Sequence, residues 1–335
     1  MDKDLKFKAM VVREEEGEIV LREEEIGLDA LDEGDVLIKV AYSSVNFKDM
    51  LAVQKNGGVI RSYPMIPGID LSGTVVSSGV AELVQGQEVL VTGYGTGVSH
   101  TGGFSQYVRV PHEWVIPLPE GLSMREAMVI GTAGLTAGLS VQALEEAGMS
   151  AKNKPVVLVT GASGGVGSVA LPLLKVQGYG TLKALVRKDY QKSLVQKLGA
   201  TDIVEPSDVF LKENPLLLKS QYDYILDTVG GEVASHLLPQ LNYDGAMSMC
   251  GNAGGIKLST TVLPFILRGN KVLGIDSVQI SREKRLKIWK RFAEEWHIMD
   301  DLEVNEIGLE ELPETLLKLK EGRHQGRTIV NIGAR

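Results

Sequence analysis

Cysteine and positive charge are both scarce in this chain of 335 residues. The single cysteine, Cys250, excludes an internal disulfide bond and any zinc site with several cysteine ligands. Acidic residues outnumber basic residues by 43 to 35, which gives a net charge of −8 at pH 7. Because nucleic-acid-binding proteins present a basic face, we predict that this protein has no nucleic-acid partner.

Long apolar segments and targeting signals are missing too. No uninterrupted apolar run approaches the length of about 20 residues that a membrane-spanning helix requires. Residues 1–18 contain neither the apolar core nor the cleavage pattern of a signal peptide. With 44% apolar and 23% charged residues, the composition is ordinary for a globular protein. We therefore predict a soluble, cytoplasmic protein that does not associate with membranes.

Two different sequence patterns divide the chain, which is too long for one ordinary core. Residues 1–118 alternate short β-rich segments with Gly, Asp and Pro, a pattern that predicts a barrel-like β domain. From residue 155 to about 255, strand-like and helical segments alternate, as in a parallel sheet covered on both faces. Between these regions a long helix is predicted from Ser123, and interior glycines either weaken it or break it in two. The predicted fold class is α/β.

The stretch VVLVTGASGGVGSVA, residues 156–170, predicts a phosphate-binding turn. A buried strand ends at Thr160, a glycine turn follows and a helix opens, which is the context of a dinucleotide fingerprint. Gly167 allows the helix to pack closely on the strand. The backbone amides expected to bind a pyrophosphate are those of Ser163, Gly164, Gly165 and Val166. Ala162 breaks the strict glycine pattern, but the surrounding context favours cofactor binding over a purely structural turn.

Two cations follow the next predicted strand, residues 181–186, where NAD-binding proteins usually carry an acidic residue for the ribose 2′-hydroxyl. A carboxylate there would repel a 2′-phosphate, whereas a guanidinium pairs with it through two hydrogen bonds. Arg187 and Lys188 therefore favour NADPH over NADH. Two alternatives stay open: both cations belong to a solvated loop, or Asp189 binds NAD because the strand ends two residues later.

Several longer stretches carry a resemblance to a known family. They are SSVNFKD (43–49), YPMIPGIDLSGTV (63–75), TGGFSQY (101–107), IGTAGLTA (130–137), TGASGGVGS (160–168), LPFILRGNKVLGIDSV (263–278) and QGRTIV (325–330). Over nearly its whole length the chain resembles the medium-chain dehydrogenase/reductase superfamily. Within it, the chain is most similar to the zinc-independent quinone-oxidoreductase-like group of the YhdH/YhfP type, which includes acrylyl-CoA reductase.

The resemblance implies a domain organisation and an assembly. A GroES-like, β-barrel-type catalytic domain is expected at residues 1–124 and 265–335, and a doubly wound Rossmann domain at residues 125–264. Relatives join two sheets through the region of residues 263–278, and an exposed sheet edge pairs readily with another chain. We therefore expect a homodimer.

Zinc ligands are absent from the positions where zinc-dependent relatives carry them. Those relatives have a cysteine at the position of Asn46 and Gly-His-Glu at the positions of Gly68, Ile69 and Asp70. The five histidines show no ligand spacing, and catalytic zinc normally needs three protein ligands. We predict no metal, and alcohol oxidation is difficult without a Lewis acid.

The resemblance implies instead that NADPH reduces an activated alkene, such as an enone or a CoA enoyl thioester. Acrylyl-CoA, which becomes propanoyl-CoA, is the best-known instance. A quinone is the alternative substrate within the same fold. A non-catalytic NADPH-binding sensor is the alternative outside the enzymes.

Site residues also follow from the resemblance. Asn46 and Asp49 are the expected catalytic residues: Asn46 donates a hydrogen bond to a substrate oxygen, and Asp49 orients Asn46 or fixes Lys48. The alternative is that Asn46 forms a turn and Asp49 caps a helix. The further residues expected to contact the cofactor are Phe47, Thr132, Asn252, Ile266 and Ser277. Phe47 replaces a common tyrosine, so the proton donor stays open among Tyr42, Tyr63, Tyr94 and water.

Overall fold

The computed structural model describes residues 5–210 and 217–333. The strands are β1 (Lys6–Glu15), β2 (Glu18–Gly27), β3 (Val36–Ser44), β4 (Asp70–Ser78), β5 (Glu88–Thr92), β6 (Tyr107–Val110), β7 (Ile116–Pro117), β8 (Val156–Thr160), β9 (Thr181–Leu185), β10 (Asp202–Val204), β11 (Tyr222–Asp227), β12 (Leu241–Met249), β13 (Lys271–Gly274), β14 (Val304–Ile307) and β15 (Arg327–Asn331). The helices are α1 (Phe47–Ala52), α2 (Met124–Glu146), α3 (Gly167–Val176), α4 (Lys192–Lys197), α5 (Pro206–Val209), α6 (Gly231–Leu237), α7 (Leu263–Arg268), α8 (Arg282–Glu294) and α9 (Leu312–Lys320).

The chain forms two compact units. Unit 1 comprises Met1–Thr132, Val278–Glu294 and Glu303–Arg335, and unit 2 comprises Ala133–Ser277 and Glu295–Leu302. The predicted domains instead divided the chain after residues 124 and 264. Thr132 stays with unit 1 because its amide and hydroxyl both donate to the carboxylate of Asp70.

Unit 1 is built on a seven-stranded sheet in the order β14-β15-β3-β4-β5-β7, with β6 also paired to β3, and β1 and β2 form a separate antiparallel hairpin. Both faces of β3 are covered, because its side chains alternate between two cores. Ile38 belongs to the main core, together with Leu71 and Phe104. Leu37 packs on the other side, in a smaller core with Phe7 from β1. The β domain expected from the short alternating segments is therefore present.

Unit 2 contains a six-stranded parallel sheet in the order β10-β9-β8-β11-β12-β13. Numbered along the chain, this is the order 3-2-1-4-5-6 of a dinucleotide-binding fold, so the predicted doubly wound sheet is confirmed. The central strand β8 is buried from Val157 to Thr160, as its continuous apolar sequence requires. In such a sheet the strand order reverses between strands 1 and 4, and the ligand binds at their carboxyl ends. Here those strands are β8 and β11.

One glycine breaks the long helix α2. Gly131 has φ 52° and ψ −159°, which are not helical angles, so the second of the two outcomes expected for this helix occurs. Among the described helices, α2 alone has the length and composition of a membrane span, with a mean hydropathy of 1.5. However, 89% of that apolar window is buried inside the protein, as in the core helix of a globular fold.

Candidate active site

The first candidate region lies in unit 2 at the carboxyl end of β8, where residues 160–167 form a tight turn, here called the phosphate turn. Gly161 leaves the strand with a left-handed φ of 56°. Gly167 opens α3, and a Cβ atom there would lie 2.4 Å from the carbonyl oxygen of Gly161. Position 167 therefore has no room for a side chain, and the helix packs closely on the strand.

The amides expected to bind a pyrophosphate lie in this turn. Within the described part of the chain, those of Ser163, Gly165 and Val166 donate no hydrogen bond, and they directly precede α3. The Gly164 amide differs, because it already donates to the Gly161 carbonyl oxygen at 2.9 Å. Free amides at a helix N-terminus bind phosphate oxygens, so the phosphate turn fits the diphosphate of a dinucleotide.

A buried carboxylate, Asp227, ends the neighbouring strand β11 and supports the phosphate turn. Its oxygens accept hydrogen bonds from the Thr160 hydroxyl at 2.7 Å and from the Gly230 amide at 2.8 Å. The Thr228 amide donates to the same Thr160 hydroxyl at 3.0 Å. Burial raises the pKa of Asp227. These contacts join the ends of β8 and β11, where a doubly wound sheet binds its ligand.

The two cations predicted to recognise NADPH follow β9, which ends at Leu185 and therefore does not extend towards Asp189. The amides of Arg187 and Lys188 both donate to the buried carboxamide oxygen of Gln191, each at 3.1 Å. Arg187 is exposed, and its guanidinium has no hydrogen-bond or ion-pair partner among the described residues. The Lys188 ammonium lies 5.6 Å from the centroid of the Tyr190 ring. A rigid turn thus presents a free guanidinium, which fits a 2′-phosphate.

Asp189, the alternative NAD-binding residue, already has a cationic partner. Its carboxylate lies 2.9 Å from the ammonium of Lys192, which in turn lies 2.5 Å from Glu205. Both carboxylates raise the pKa of Lys192 through hydrogen bonds and charge. The charge of Asp189 is therefore balanced by Lys192.

The remaining unit 2 residues expected at the cofactor lie in different surroundings. Ser277 is buried and accepts a hydrogen bond from the Thr136 hydroxyl at 2.7 Å. Asn252 lies in an exposed loop that packs on the loop after β11, since the Gly254 amide donates to the Val229 carbonyl oxygen. Ile266 lies on α7 with 68% of its surface exposed. Asn252 is therefore close to the end of β11, whereas Ile266 makes no contact with the phosphate turn among the described hydrogen bonds.

The second candidate region is a group of buried polar residues in unit 1, here called the Asp70 cluster. It consists of Ser44, Asn46, Asp49, Asp70, Thr132 and Arg327. The Asp70 carboxylate accepts four hydrogen bonds: from the Ser44 hydroxyl at 2.6 Å, the Asn46 amide group at 2.8 Å, the Thr132 backbone amide at 2.8 Å and the Thr132 hydroxyl at 2.5 Å. Two expected site residues, Asn46 and Thr132, are thus brought together by a third that the sequence prediction did not include.

Asn46 and Asp49 are joined through the start of α1. The Asp49 carboxylate accepts hydrogen bonds from the backbone amide of Asn46 at 2.8 Å and from that of Ile69 at 3.1 Å. Asp49 therefore both caps α1 and fixes the backbone of Asn46, whereas no hydrogen bond or ion pair joins its carboxylate to Lys48 among the described residues. Burial, and then the charge of Asp70, raise the pKa of Asp49 to about 7.

The side-chain amide of Asn46 is already engaged. Its Nδ2 atom donates to Asp70 at 2.8 Å and also lies 3.3 Å from the carbonyl oxygen of Ser44. An amide group carries two protons, so a hydrogen bond to a substrate oxygen would have to replace one of these. Phe47 follows directly and is 41% exposed on α1.

Arg327 is the buried cation of the Asp70 cluster. Its guanidinium donates to the carbonyl oxygens of Val129 at 2.8 Å and Val45 at 3.2 Å. Burial lowers the pKa of Arg327, and the charges of Asp70 and Asp49 oppose that shift. Arg327 is the first residue of β15, RTIVN, and the local sequence does not reveal that its side chain is buried among carbonyl oxygens.

Gly131 has no side chain, and the Asp70 cluster occupies the space that a side chain there would need. A Cβ atom at this position would lie 2.6 Å from both the Asp70 Oδ2 atom and the Ser44 hydroxyl oxygen, and 3.0 Å from Arg327. The break in α2 and the buried cluster therefore depend on the same glycine.

Tyr42, Tyr63 and Tyr94 were the candidate proton donors. Among the described residues, none of their hydroxyl groups makes a hydrogen bond with the Asp70 cluster. Tyr94 alone has an unusual backbone, with a φ of 53°. Its ring stacks on Trp114 at a centroid distance of 5.4 Å, and the Arg285 guanidinium lies 4.5 Å from its centroid.

Comparisons with known proteins identify relatives of the whole chain. Residues 32–120 match the family described as alcohol dehydrogenase GroES-like domain, and residues 165–294 match zinc-binding dehydrogenase. The chain is 40% identical to acrylyl-CoA reductase AcuI of Ruegeria pomeroyi over 98% of its own length and 100% of the relative's.

Solved structures of two relatives contain dinucleotides. The yhdH oxidoreductase of Salmonella enterica in complex with NADP is 40% identical, with a TM-score of 0.93 over 97% of this chain and 99% of that one. The yhfP protein of Bacillus subtilis with NAD bound is also 40% identical, with a TM-score of 0.93 over 98% and 100%.

The residues of this chain do not fit the zinc ion that one family description names. Both oxygens of Asp70 are occupied by hydrogen-bond donors, and the preceding residue is isoleucine. Among residues 5–210 and 217–333, no three His, Cys, Asp or Glu side chains come together as a metal site would require.

Proposed function

The chain belongs to the YhdH/AcuI group of the medium-chain dehydrogenase/reductase superfamily, and we propose that it is an NADPH-dependent, zinc-free reductase of activated alkenes. Its representative substrate is acrylyl-CoA, which is reduced to propanoyl-CoA. The observation that carries the proposal is the full-length similarity to an acrylyl-CoA reductase, since no segment of either chain is left unmatched at the level of a domain.

The choice of NADPH rests on Arg187. Relatives with NADP and with NAD are both known, so family membership alone does not decide the cofactor of this chain. The free guanidinium of Arg187 follows β9 directly, whereas Asp189 is paired with Lys192. A 2′-phosphate would gain a hydrogen bond between opposite charges from Arg187, whereas a neutral ribose hydroxyl would gain a weaker one.

NADPH, when bound, supplies the hydride for the β-carbon of the conjugated alkene. The free amides of the phosphate turn hold the diphosphate, and Asp227 keeps that turn in place through Thr160. In unit 1, Asp70 fixes the side chain of Asn46 and Asp49 fixes its backbone. Because the pKa of Asp49 is about 7, its carboxyl is partly protonated near neutral pH, which limits the buried negative charge beside Arg327.

The test is NADPH oxidation by the purified protein, with acrylyl-CoA compared against a simple benzoquinone. We expect a kcat/KM for the thioester of about 10⁴ M⁻¹s⁻¹ or more, within the normal range of enzymes. Reduction of the quinone alone would make the protein a quinone reductase. NADPH binding without oxidation by any alkene or quinone would favour a non-catalytic sensor.

We also propose that the enzyme is a cytoplasmic homodimer. Strand β13 ends the sheet of unit 2, and the neighbouring α7 exposes Ile266 and Leu267, so an unpaired edge lies beside apolar side chains. Such an edge favours pairing with a second copy. Sedimentation at micromolar concentration tests this, and a monomer there would contradict it.

A further inference from the structure

A cavity in unit 1 plays no part in the sites described so far. Its volume is about 410 Å³, which lies within the range of small-molecule sites. Lys48, Arg61, Ser62 and Ser99 give it a polar lining, and Val59 and Met65 contribute apolar surface. The cavity is therefore shaped for a ligand that has both charged and apolar parts.

The two cations in this lining have no counter-charge. Neither the Lys48 ammonium nor the Arg61 guanidinium has a hydrogen-bond or ion-pair partner among the described residues, and no carboxylate belongs to the described lining. Lys55, which follows α1, is in contrast paired with Glu18 at 3.1 Å. Two unpaired cations in one concave site attract an anion.

A phosphate group suits this lining better than a carboxylate. Arginine binds phosphate oxygens through two parallel hydrogen bonds, lysine adds a point charge, and serine hydroxyls are further donors. The CoA thioester of the proposed function carries several phosphates, and its long apolar and amide-containing arm matches the mixed surface near Val59 and Met65.

We propose that Lys48 and Arg61 form an anion subsite that binds a phosphate group in the CoA part of the substrate. This subsite deepens the proposed function and rests on it. It also assigns a role to Lys48, which lies on α1 between Phe47 and Asp49 but whose ammonium makes no hydrogen bond or ion pair with the Asp70 cluster among the described residues.

The kinetic test compares two thioesters that share the acryloyl group: acrylyl-CoA and the phosphate-free acryloyl-N-acetylcysteamine. Arg61→Gln and Lys48→Gln should each raise KM for acrylyl-CoA about 10-fold or more, the loss expected for one charged hydrogen bond, with kcat nearly unchanged. KM for the phosphate-free thioester should stay within about 2-fold. Lys39→Gln, an exposed cation on β3 outside the cavity, is the matched control and should change neither. Equal changes for both thioesters, or none for either, would overturn the subsite.

A binding measurement separates failure of the subsite from failure of the proposed function. Calorimetric titration with CoA itself, in saturating NADP⁺ so that CoA cannot occupy the cofactor site, requires no turnover. Binding that weakens about 10-fold in Arg61→Gln supports the subsite even if acrylyl-CoA is not reduced, in which case only the reaction is wrong. The subsite is wrong if CoA does not bind, or if it binds the original protein and Arg61→Gln equally tightly. Binding of acrylate but not CoA at Arg61 would make it a carboxylate site and overturn the phosphate assignment.

Discussion

Each unit of the protein contains a fully buried aspartate at its candidate site, and the two are held in different ways. Asp227 in unit 2 accepts from the amides of Val229 and Gly230, its own neighbours, and from Thr160 on the adjacent strand. Asp70 in unit 1 accepts from donors that are 24 to 62 residues away in sequence. One carboxylate stabilises a local turn, while the other joins distant segments.

The two aspartates also differ in the charges that surround them. Arg327 lies in the Asp70 cluster and its charge is coupled to Asp70, so a buried cation and anion depend on each other there. No such cation lies beside Asp227 among residues 5–210 and 217–333, and burial raises its pKa. Loss of Asp70 would remove one of the two carboxylates that offset the buried charge of Arg327, whereas loss of Asp227 would leave only unsatisfied donors.

The largest effect should come from Asp70→Asn. The variant replaces a carboxylate oxygen by an amide group that faces other donors, and it removes the larger of the two counter-charges of Arg327. We expect the free energy of unfolding to fall by about 3–5 kcal/mol. Asp227→Asn should cost about 1–3 kcal/mol, because one backbone donor is left unsatisfied. Urea unfolding measures both, and equal losses would remove the distinction between the two sites.

The matched control for this pair is Asp29→Asn, an exposed aspartate in unit 1. Its change in unfolding free energy should stay within about 0.5 kcal/mol.

A second prediction uses the pH dependence of stability. The pKa of Asp49 is raised to about 7 from its ordinary value of 3.8, so the native state keeps a proton that the unfolded chain releases. The resulting stabilisation is complete below about pH 4 and is lost as the pH rises to about 7. In Asp49→Asn this loss should disappear. The difference in unfolding free energy between pH 4 and pH 7 should then change by up to about 4 kcal/mol.

His324 makes the pH experiment sharper. Burial lowers its pKa to about 4 from 6.5, so its contribution is present above pH 6.5 and is lost as the pH falls towards 4. The two groups therefore act in opposite directions over the same range. Stability should rise with pH more steeply in Asp49→Asn than in the original protein, and parallel curves would contradict the assignment.

The third prediction concerns the space beside Asp70. In Gly131→Ala the new methyl group would meet Asp70 and Ser44 at 2.6 Å, and the φ of 52° is unfavourable for alanine. We expect a loss of about 2–3 kcal/mol in thermal or urea unfolding. Gly180→Ala is the control, because a Cβ atom there has no neighbour within 4 Å, and its effect should be near zero or slightly stabilising. Similar losses of unfolding free energy in Gly131→Ala and Gly180→Ala would mean that the side chains of the Asp70 cluster can shift to accommodate a methyl group.

The same contrast explains what the sequence could predict. The phosphate turn and Arg187 are local features, because a strand, a glycine turn and the end of the next strand lie within about thirty residues. The Asp70 cluster gathers side chains from β3, β4, α2 and β15, and no spacing rule connects Ser44 with Arg327. Asn46 and Asp49 were expected from resemblance alone, and only the structure links them to Asp70.

Domain bounds show a similar limit. The break at Gly131 could be anticipated as one of two outcomes, since glycine weakens a helix. That Thr132 stays with unit 1 follows from its hydrogen bonds to Asp70, which are tertiary contacts and leave no mark on the local sequence.

We expect Arg187→Glu to have the smallest effect on the free energy of unfolding. It is also the variant that tests the choice of cofactor. Because this guanidinium is exposed and has no protein partner among the described residues, its loss should leave the unfolding free energy within about 0.5 kcal/mol of the original. The dissociation constant for NADPH should nevertheless rise about 10- to 150-fold, the loss of one charged hydrogen bond, with little change for NADH. Fluorescence titration with both dinucleotides measures this. Lys197→Glu, an exposed residue at the end of α4 with the same change of charge, should affect both cofactors little. If Arg187→Glu weakened the binding of NADPH and NADH equally, Arg187 would attract the negative charge of either dinucleotide without recognising the 2′-phosphate. Unit 2 would then bind its cofactor specifically through the phosphate turn alone.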